Sequence, residues 1–373
     1  MTQPPGPAGP SGGFEQFARD VAPRVDREIE RVVRREVDDP WMRGAIGYQF
    51  GWADAEFVPI AAAQRGRSGK RLRPLLAVLS YNAALERPDR DQATPGEALI
   101  VAAAVELIHN FSLIHDDIED RDRSRRGRPT LWTLCGEAQA INAGDCVQAL
   151  AYACVGRLSS LGVDHGLVGQ IVHALAMATV DMTIGQRRDM AYERTSAVDA
   201  DMYSMMIAGK TAALMSCATH TGALLAIGPG GELAAARAAG YAEFGRELGL
   251  CFQVRDDILG IWGSEADTGK SSGGDIRRRK KSLPIVLALG LVTGATRERL
   301  ATLYALPTEL DATQERDIRG ILEDCDAQRL CQREAELHAE LALRALATAE
   351  PAGANPFLAT LRSLTGSLTA RSS

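Results

Sequence analysis

The sequence predicts an all-α protein, and three observations carry this expectation. Hydrophobic residues make up 46% of the 373 residues, much of it Ala and Leu. Aromatic residues reach only 5%, whereas sheets use more aromatic and β-branched residues. Apolar residues recur at helical spacing between breaks that contain Gly or Pro, and no series of strands and hairpins interrupts them.

The elements can be justified in order from the N-terminus. Residues 1–13 (MTQPPGPAGPSGG) are rich in Pro and Gly and are predicted to form a disordered arm. A highly charged helix is expected over 14–37, and a stretch rich in Gly and aromatic residues follows over 41–59. Helices then recur, so that 14–349 is predicted to be a single all-α domain. The tail, 350–373, is expected to hold one last short helix.

Local signals place several helix ends. Thr94-Pro95-Gly96-Glu97 supplies a capping residue, a Pro for the first helical position and a Glu at the third, which predicts a helix start. Breaks are predicted at 125–129 (RRGRP), at 162–164 (GVD) and at 228–231 (GPGG). These breaks separate the long apolar patterns that carry the motifs below.

Charge and cysteine content limit the function classes. The net charge of −6 argues against nucleic acid as a partner of the whole molecule. The seven cysteines are an odd number without a Cys-x-x-Cys pair, which indicates small buried thiols in a reducing compartment. We find no signal peptide and no uninterrupted apolar run of about 18 residues, so the sequence predicts a cytoplasmic protein without a stable membrane anchor.

Two acidic motifs stand at the ends of apolar helix patterns, DDIED at 116–120 and DDILG at 256–260. Adjacent carboxylates repel each other and are costly to desolvate, so they need cations there. Carboxylate oxygens are hard ligands, which favours Mg²⁺ that bridges them to substrate phosphates. The two motifs therefore predict a diphosphate substrate. The alternatives are a solvated acidic helix end for the first motif and a helix end capped by Gly260 for the second.

Basic segments accompany both motifs. RDRSRRGRPT (121–130) follows the first, and DIRRRKK (275–281) follows the second after TGK (268–270). Arginine forks suit phosphate oxygens beside a metal-bound anion, although simple charge balance is the alternative. The basic run at 277–281 is also compatible with a nucleic-acid or targeting patch. GKRLRP (69–74) presents further cations, because Pro74 keeps the preceding residue extended.

Taken together and in this order, these stretches resemble the trans-isoprenyl diphosphate synthase (polyprenyl synthetase) family, in particular its bacterial geranylgeranyl diphosphate synthase type. The matching segments are GKRLRP (69–74), ELIHNFSLIHDDIEDRDRSRRGRPT (106–130), GQRRDM (185–190), GKTAAL (209–214) and FQVRDDILGIWG…TGK…DIRRRKKSLP (252–284). The resemblance implies an isoprenoid-synthase helical bundle around a deep central cavity. It also implies a homodimer, with the two acidic motifs facing each other across the mouth of the cavity.

The resemblance implies site residues as well. The main Mg²⁺ ligands, for an expected three ions, would be Asp116, Asp120 and Asp256, with Asp117 and Asp257 in support. The allylic diphosphate would be held through these metals and by Arg125, Lys210, Lys270 and Lys280, with Lys281 beside Lys280 leaving the last assignment open. Isopentenyl diphosphate would be held without metal by Lys70, Arg73, His109 and Arg126. Thr211 and Gln253 would line the path of the allylic cation.

The same resemblance implies a prenyltransferase that joins isopentenyl diphosphate to allylic diphosphates by 1'-4 condensation. Phe111 lies five positions before Asp116, about 7.5 Å along the helix, and the small Ser112 follows it. In similar proteins one aromatic residue at this place accompanies a C20 product, so geranylgeranyl diphosphate is expected, with farnesyl diphosphate as the alternative. Phe111 as an ordinary core residue is the other interpretation.

Two rival functions share parts of this pattern. A class I terpene cyclase would share the helical fold and the first acidic motif, but it should carry an Asn/Asp-x-x-Ser/Thr-x-x-x-Glu metal site that we do not find. A non-catalytic partner subunit should have lost acidic or basic ligands, and this sequence keeps nearly all of them. Gly260, where a third acid would complete the second motif, is the one departure.

Overall fold

The computed structural model describes residues 12–61, 65, 69, 71–86, 95–193, 195, 198–263, 273–306, 308–351 and 355–370. Within these ranges the chain is almost entirely helical, so the all-α prediction is confirmed. The helices are α1 (Gly12–Glu36), α2 (Pro40–Gln49), α3 (Leu72–Ala84), α4 (Gly96–Glu119), α5 (Leu131–Cys135), α6 (Glu137–Gly156), α7 (His165–Glu193), α8 (Ala200–Ile207), α9 (Ala213–Ile227), α10 (Glu232–Trp262), α11 (Gly274–Arg277), α12 (Leu283–Leu291), α13 (Gly294–Ala305), α14 (Ala312–Asp324), α15 (Ala327–Ala349) and α16 (Pro356–Ala370). Two strands, β1 (Ser124–Arg125) and β2 (Arg128–Pro129), form a short antiparallel hairpin.

The chain divides into two compact units. The first unit comprises the described residues of Met1–Met177, Cys217–Ala242 and Ala349–Leu361. The second unit comprises those of Ala178–Ser216, Glu243–Thr348 and Arg362–Ser373. The first acidic motif belongs to the first unit and the second acidic motif to the second. The prediction of one domain over 14–349 stays a prediction.

Helix α4 forms the centre of the first unit. Its residues from Ala98 to Ile108 are buried, and it packs against α1, α3 and α6. The run Val101-Ala-Ala-Ala-Val105 gives this helix small side chains, which lets its neighbours approach closely. On α9 of the same unit, a Cβ at Gly222 would lie only 2.0 Å from the Ala77 carbonyl oxygen. The first acidic motif is thus carried on a rigid, closely packed helix.

Helix α1 begins at Gly12, two residues earlier than predicted, and residues 1–11 of the predicted arm lie outside the described residues. Val25, Ile29 and Val32 recur at helical spacing and are fully buried. The opposite face of α1 carries arginines. This amphipathic pattern packs α1 onto the first unit and points its charge outward.

The predicted break at 125–129 contains the β1–β2 hairpin. Arg126 and Gly127 form its two-residue turn, with φ of 54° and 75°. Two successive positive φ values are typical of a type I′ hairpin turn, which a non-glycine residue adopts with strain. The turn fixes the directions of Arg125 and Arg126 close to the end of α4.

Two buried clusters hold the second unit together. One surrounds Tyr203, Val254 and Ile258, and the other surrounds Ile261, Ile285 and Ile318. Between α8 and α9 the chain forms one π-helical turn, Ala208–Ala212, a distortion common at functional sites. A Cβ at Gly185 would lie 2.1 Å from the Lys210 backbone nitrogen. This glycine therefore lets α7 contact the backbone of the π turn.

Two described helices, α4 and α7, are long and apolar enough to cross a membrane by length and composition alone. In α4, 78% of the relevant window is buried inside the protein, as in a core helix of a soluble protein, whereas in α7 the share is 39%. All seven cysteines are free, and four of them, Cys154, Cys217, Cys251 and Cys331, are buried. The prediction of small buried thiols is thus confirmed for these four, and the other three are half-buried.

Candidate active site

The first acidic motif ends helix α4, and its aspartates differ in exposure. Asp116 is half-buried, Asp120 is the exposed C-cap, and Asp117 is only 2% exposed. The Asp117 carboxylate accepts a 2.7 Å hydrogen bond from Arg125 Nε on β1. Burial raises the pKa of Asp117 to about 6, and the Arg125 cation opposes this shift only in part. Asp117 therefore holds the arginine hairpin against the end of α4.

The loop that follows α4 is held in place by hydrogen bonds to main-chain carbonyl oxygens. Thr130 Oγ1 and Trp132 Nε1 each donate a 2.7 Å hydrogen bond to the Asp122 carbonyl oxygen. The Asp122 amide in turn donates to the Asp117 carbonyl oxygen at 3.0 Å. These bonds fix the path of the chain from the acidic motif into the hairpin, so Arg125 and Arg126 are presented from an ordered loop.

A second group of the first unit joins residues predicted to bind isopentenyl diphosphate. Arg73 Nη1 lies 3.5 Å from His109 Nε2, and the Arg126 guanidinium lies against Gly69, where a Cβ would be 2.6 Å from its Nη2. Burial and the neighbouring cations Arg73 and Arg126 hold the pKa of His109 well below its ordinary value. The imidazole is therefore neutral. Lys70, the fourth predicted residue of this group, lies outside the described residues.

The predicted chain-length residues lie on the same helix. Phe111 is 7% exposed, and its ring meets His115 edge-on at a centroid distance of 5.4 Å. Ser112 Oγ donates to the His109 carbonyl oxygen at 2.9 Å. A Cβ at Gly144 on α6 would lie 2.3 Å from His115 Nε2, so this glycine makes room for the imidazole that supports Phe111. The position of Phe111 is thereby fixed by packing.

The second acidic motif, on α10, repeats this division. Asp256 is exposed, whereas Asp257 is 1% exposed. The Asp257 carboxylate accepts hydrogen bonds from Tyr203 Oη (2.5 Å), Gln253 Nε2 (3.0 Å) and Lys280 Nζ (3.2 Å). It also accepts one from the Leu283 amide at 2.9 Å. Asp257 therefore joins three separate stretches of the second unit.

The structure separates the roles of Lys280 and Lys281. Lys280 Nζ faces the Asp257 and Asp275 carboxylates, at 3.2 and 3.8 Å. Although burial would lower it, these carboxylates raise the pKa of Lys280 above its ordinary value, so the side chain is a permanent cation. Lys281 Nζ instead donates to main-chain carbonyls at the C-terminal end of α7, among them that of Tyr192 at 2.6 Å. Lys280 is thus the lysine at the acidic motif.

Two consecutive side-chain hydrogen bonds connect the π turn to the second acidic motif. Thr211 Oγ1 donates to Gln253 Oε1 at 2.7 Å, and Gln253 Nε2 donates on to Asp257. Lys210, in the same turn, forms an ion pair with Asp189 of α7. The structure thus brings together the predicted residues Lys210, Thr211 and Gln253 in the second unit. Lys270 lies outside the described residues.

The carboxylate of Asp275 lies beside Gly260, the position at which the second motif lacks its third acid. A Cβ at Gly260 would lie 2.2 Å from Asp275 Oδ2. Asp275 is 9% exposed and also accepts from Arg278 at 3.2 Å. In this structure any side chain at position 260 would displace the Asp275 carboxylate, which gives a physical reason for the glycine.

The accessible carboxylates of the two motifs suit Mg²⁺ rather than a metal held by protein ligands alone. Among the described residues, no group of three or more His, Cys, Asp or Glu side chains could hold a metal ion by itself. Mg²⁺ does not require such a cage, because it keeps several waters and binds through one or two carboxylates plus substrate phosphates. Asp116, Asp120 and Asp256 offer hard oxygen donors with solvent access. These residues fit magnesium that arrives with a diphosphate.

Sequence reasoning missed several partners of the site. Tyr203 and Asp189 were not predicted, nor was the buried contact of Arg71 with Asp26 and Glu106. Each pairs with a residue between 21 and 54 positions away, beyond the reach of helical periodicity. The one available signal was a polar residue inside an otherwise apolar helix, since such groups need partners.

Comparisons with known proteins identify the family of this chain. The protein-family model described as Polyprenyl synthetase matches residues 59–323. A geranylgeranyl diphosphate synthase of Mycobacterium tuberculosis is 38% identical over 334 residues, which cover 89% of this chain and 87% of that protein. A (2E,6E)-farnesyl diphosphate synthase of Mycobacterium bovis is 36% identical over 315 residues, covering 83% and 82%.

Solved structures are similar over nearly the whole chain. A polyprenyl synthetase from Streptomyces coelicolor has a TM-score of 0.80 at 32% identity and covers 96% of this chain and 99% of that one. A polyprenyl synthase from Caulobacter crescentus, complexed with calcium and isoprenyl diphosphate, has a TM-score of 0.74 at 27% identity and covers 98% and 99%. The chain therefore belongs to the polyprenyl synthetase family and is a trans-prenyltransferase that synthesises short-chain prenyl diphosphates.

Proposed function

We propose that this enzyme condenses isopentenyl diphosphate with allylic diphosphates in a Mg²⁺-dependent 1'-4 reaction and that its main product is geranylgeranyl diphosphate. One observation carries the proposal. In each acidic motif the first aspartate is accessible, while the second is buried against a basic residue of the following segment, Arg125 or Lys280. Carboxylates for metal and cations for phosphate are thus held side by side, as a metal-bound diphosphate requires.

Asp116, Asp120 and Asp256 would hold the magnesium ions, for which we propose three per site. When bound, the ions stabilise the negative charge that develops on the departing diphosphate. Arg125, Lys210 and Lys280 contribute fixed positive charge to the same oxygens. Because Lys280 is held by Asp257, its ammonium group needs little reorganisation during the reaction.

Isopentenyl diphosphate would bind separately, through Arg73, His109, Arg126 and Lys70. The neutral His109 can accept from Arg73 while its other ring nitrogen remains a donor. Departure of diphosphate leaves a cation at C1' of the allylic substrate. The double bond of isopentenyl diphosphate then forms a bond from its C4 to C1', and a proton leaves C2 of the isopentenyl unit for the released diphosphate. Thr211 and Gln253 would lie along the path of the cation, with their hydroxyl and amide dipoles already paired.

The C20 product rests on Phe111. Its ring is fixed by His115, and Ser112 beside it is small, so an aromatic floor would stand about 7.5 Å from Asp116 along α4. The relatives named above include both geranylgeranyl and farnesyl diphosphate synthases, so farnesyl diphosphate is the second candidate. A shorter product would require that the chain stop before it reaches this ring.

A product assay tests the proposal. Purified protein is incubated with Mg²⁺, isopentenyl diphosphate and dimethylallyl, geranyl or farnesyl diphosphate in turn, and the dephosphorylated prenols are separated by chromatography. Geranylgeraniol from all three primers is the expected result. Farnesol as the final product would overturn the C20 assignment but not the reaction. Absence of elongation with every primer, in the presence of EDTA-reversible Mg²⁺ binding, would overturn the proposed function itself.

We also propose that the enzyme is a homodimer in the cytoplasm. In support, α7 carries the exposed apolar side chains Met177, Val180 and Ile184 at a spacing that places them on one helix face. Such a row is costly in water and suits a contact between two copies. Light scattering after size-exclusion chromatography should give twice the mass of the 40.0 kDa chain. Val180→Lys together with Ile184→Lys should halve the mass; a wild-type monomer would refute the proposal.

A further inference from the structure

Arg71 occupies an unusual place between two residues of the predicted isopentenyl diphosphate group. It directly precedes α3 and has a φ of 49°, in the left-handed region that glycine adopts more easily than arginine. The residue is 6% exposed. A buried arginine in a strained backbone conformation persists only where the surrounding structure holds it firmly.

Three elements of the first unit hold the Arg71 guanidinium. Nε and Nη2 contact Asp26 Oδ1 of α1 at 2.9 and 2.8 Å. Nη1 forms an ion pair with Glu106 of α4. The group also lies over the ring of Phe50, which follows α2, at 5.5 Å from the centroid. Burial would lower the pKa of Arg71, yet the carboxylates of Glu106 and Asp26 raise it above its ordinary value.

These contacts join the turn before α3 to the helix that carries His109. Glu106 is one turn before His109 on α4, and its carboxylate also accepts from Asn110 Nδ2 at 2.8 Å. Arg73 follows Arg71 by two residues and reaches His109 at 3.5 Å. Any movement of the Arg71–Glu106 pair would therefore change the register of Arg73 against His109.

We propose that Arg71 is a positioning residue for isopentenyl diphosphate: its bridge to Asp26 and Glu106 holds the turn before α3 so that Arg73 meets His109 in the binding geometry. This inference rests on the proposed function, because it assigns Arg71 to the metal-free subsite. A buried ion pair is weak evidence for stability alone, since apolar residues often replace it without loss. Retaining it at a strained turn is explained by the position it gives to Arg73.

The experiment compares Arg71→Lys and Arg71→Met with two control variants. Lysine keeps the charge but loses the forked geometry that two carboxylates require. Arg157→Lys and Arg157→Met are the controls, because Arg157 pairs with the buried Glu28 on α1, two residues after Asp26. The controls remove a buried ion pair of the same helix that does not touch the turn before α3.

Two readouts separate positioning from stability. One is the Kd of isopentenyl diphosphate, measured by calorimetry with EDTA and without Mg²⁺; the other is the set of KM and kcat values for both substrates. For Arg71→Met we expect Kd and KM for isopentenyl diphosphate to rise about tenfold or more, the loss typical of a charge-assisted contact. KM for farnesyl diphosphate should stay within about twofold, and Arg71→Lys should lie between. The Arg157 controls should lower the melting temperature and leave Kd unchanged.

Asp26→Asn covers the case in which Arg71 variants fail to fold. The Asp26 side chain is 29% exposed, whereas that of Glu106 is 4% exposed, so water can compensate the loss of the Asp26 charge and this variant should fold. This variant should raise Kd for isopentenyl diphosphate about threefold. Unchanged Kd in folded Arg71 and Asp26 variants, or an equal rise in both substrates' KM, would overturn the positioning role. A wild-type enzyme that elongates no primer would instead overturn the proposed function.

Discussion

Replacing Asp257 by Asn should destabilise the fold, whereas the same change at the adjacent Asp256 should leave it intact. Asp257 accepts four hydrogen bonds at 1% exposure. An asparagine turns one oxygen into an NH₂ group, which then faces two donors. If Tyr203 and Leu283 still donate to the remaining oxygen, Gln253 and Lys280 lose their acceptor.

The magnitude follows from these losses. A buried donor left without an acceptor costs about 1–3 kcal/mol. Gln253 cannot simply turn over, because its Oε1 accepts from Thr211. The Lys280 side chain is 35% exposed, so water compensates part of its lost ion pair. Together we expect about 3 kcal/mol of lost stability, or a fall in melting temperature of about 4 °C for a chain of this length.

Thermal unfolding by circular dichroism in EDTA measures this effect without any contribution from metal. Asp256→Asn should change stability by no more than about 0.5 kcal/mol, as usual for an exposed position. As a proposed metal ligand, it should lower kcat/KM about a hundredfold or more and raise the Mg²⁺ concentration needed for half activity. A melting temperature of Asp257→Asn within 1 or 2 °C of wild type would refute the reasoning.

Three further predictions concern pH, product length and the two lysines. Burial raises the pKa of Asp117 from 3.8 to about 6 in the folded protein, so the protonated carboxyl favours folding. The free energy of unfolding of the wild type, relative to Asp117→Asn, should therefore be greatest below pH 4 and fall by about 2–3 kcal/mol as pH rises through 6. Urea unfolding at several pH values measures this difference, and a difference independent of pH would contradict the prediction. Phe111→Ala should yield prenols longer than C20, and an unchanged chromatogram would remove Phe111 as the floor. Lys280→Ala should lower kcat/KM for the allylic substrate about a hundredfold, whereas Lys281→Ala should lower melting temperature with kcat/KM nearly unchanged; equal kinetic loss in both would refute the assignment.

Helix positions and breaks could largely be predicted from the sequence, because they depend on local signals. The expectation that Pro74 keeps Arg73 extended was wrong: both lie in the first turn of α3, where proline is tolerated. The breaks at 162–164 and 228–231 separate α6 from α7 and α9 from α10 as expected. Helix α2 was concealed by its composition, since Gly44 and Gly47 lower helix propensity. Its cap was nevertheless visible: Asp39 accepts from the Met42 amide at 2.6 Å, and Pro40 occupies the first turn. The glycine at 44 serves packing, because a Cβ there would lie 2.4 Å from the Phe57 carbonyl oxygen.

The site could be predicted only in part for a physical reason. Motifs identify residues that bind phosphate or metal, because those residue types follow from the ligand's chemistry. They do not identify what holds these residues in place. Tyr203 reaches Asp257 across 54 positions, and Arg71 reaches Asp26 across 45. Such pairs arise from tertiary packing, which a single sequence encodes without any periodic signal.

The two acidic motifs solve the repulsion between adjacent carboxylates in the same way. In each motif the second aspartate is buried and pairs with a cation from the segment that follows, Arg125 for Asp117 and Lys280 for Asp257. Its charge is thereby neutralised inside the protein, and the cation is fixed for the substrate. Asp116, Asp120 and Asp256 are less buried than Asp117 and Asp257, and they are the residues at which we propose that Mg²⁺ and the diphosphate bind. The buried partners act by keeping Arg125 and Lys280 in position before any ion binds.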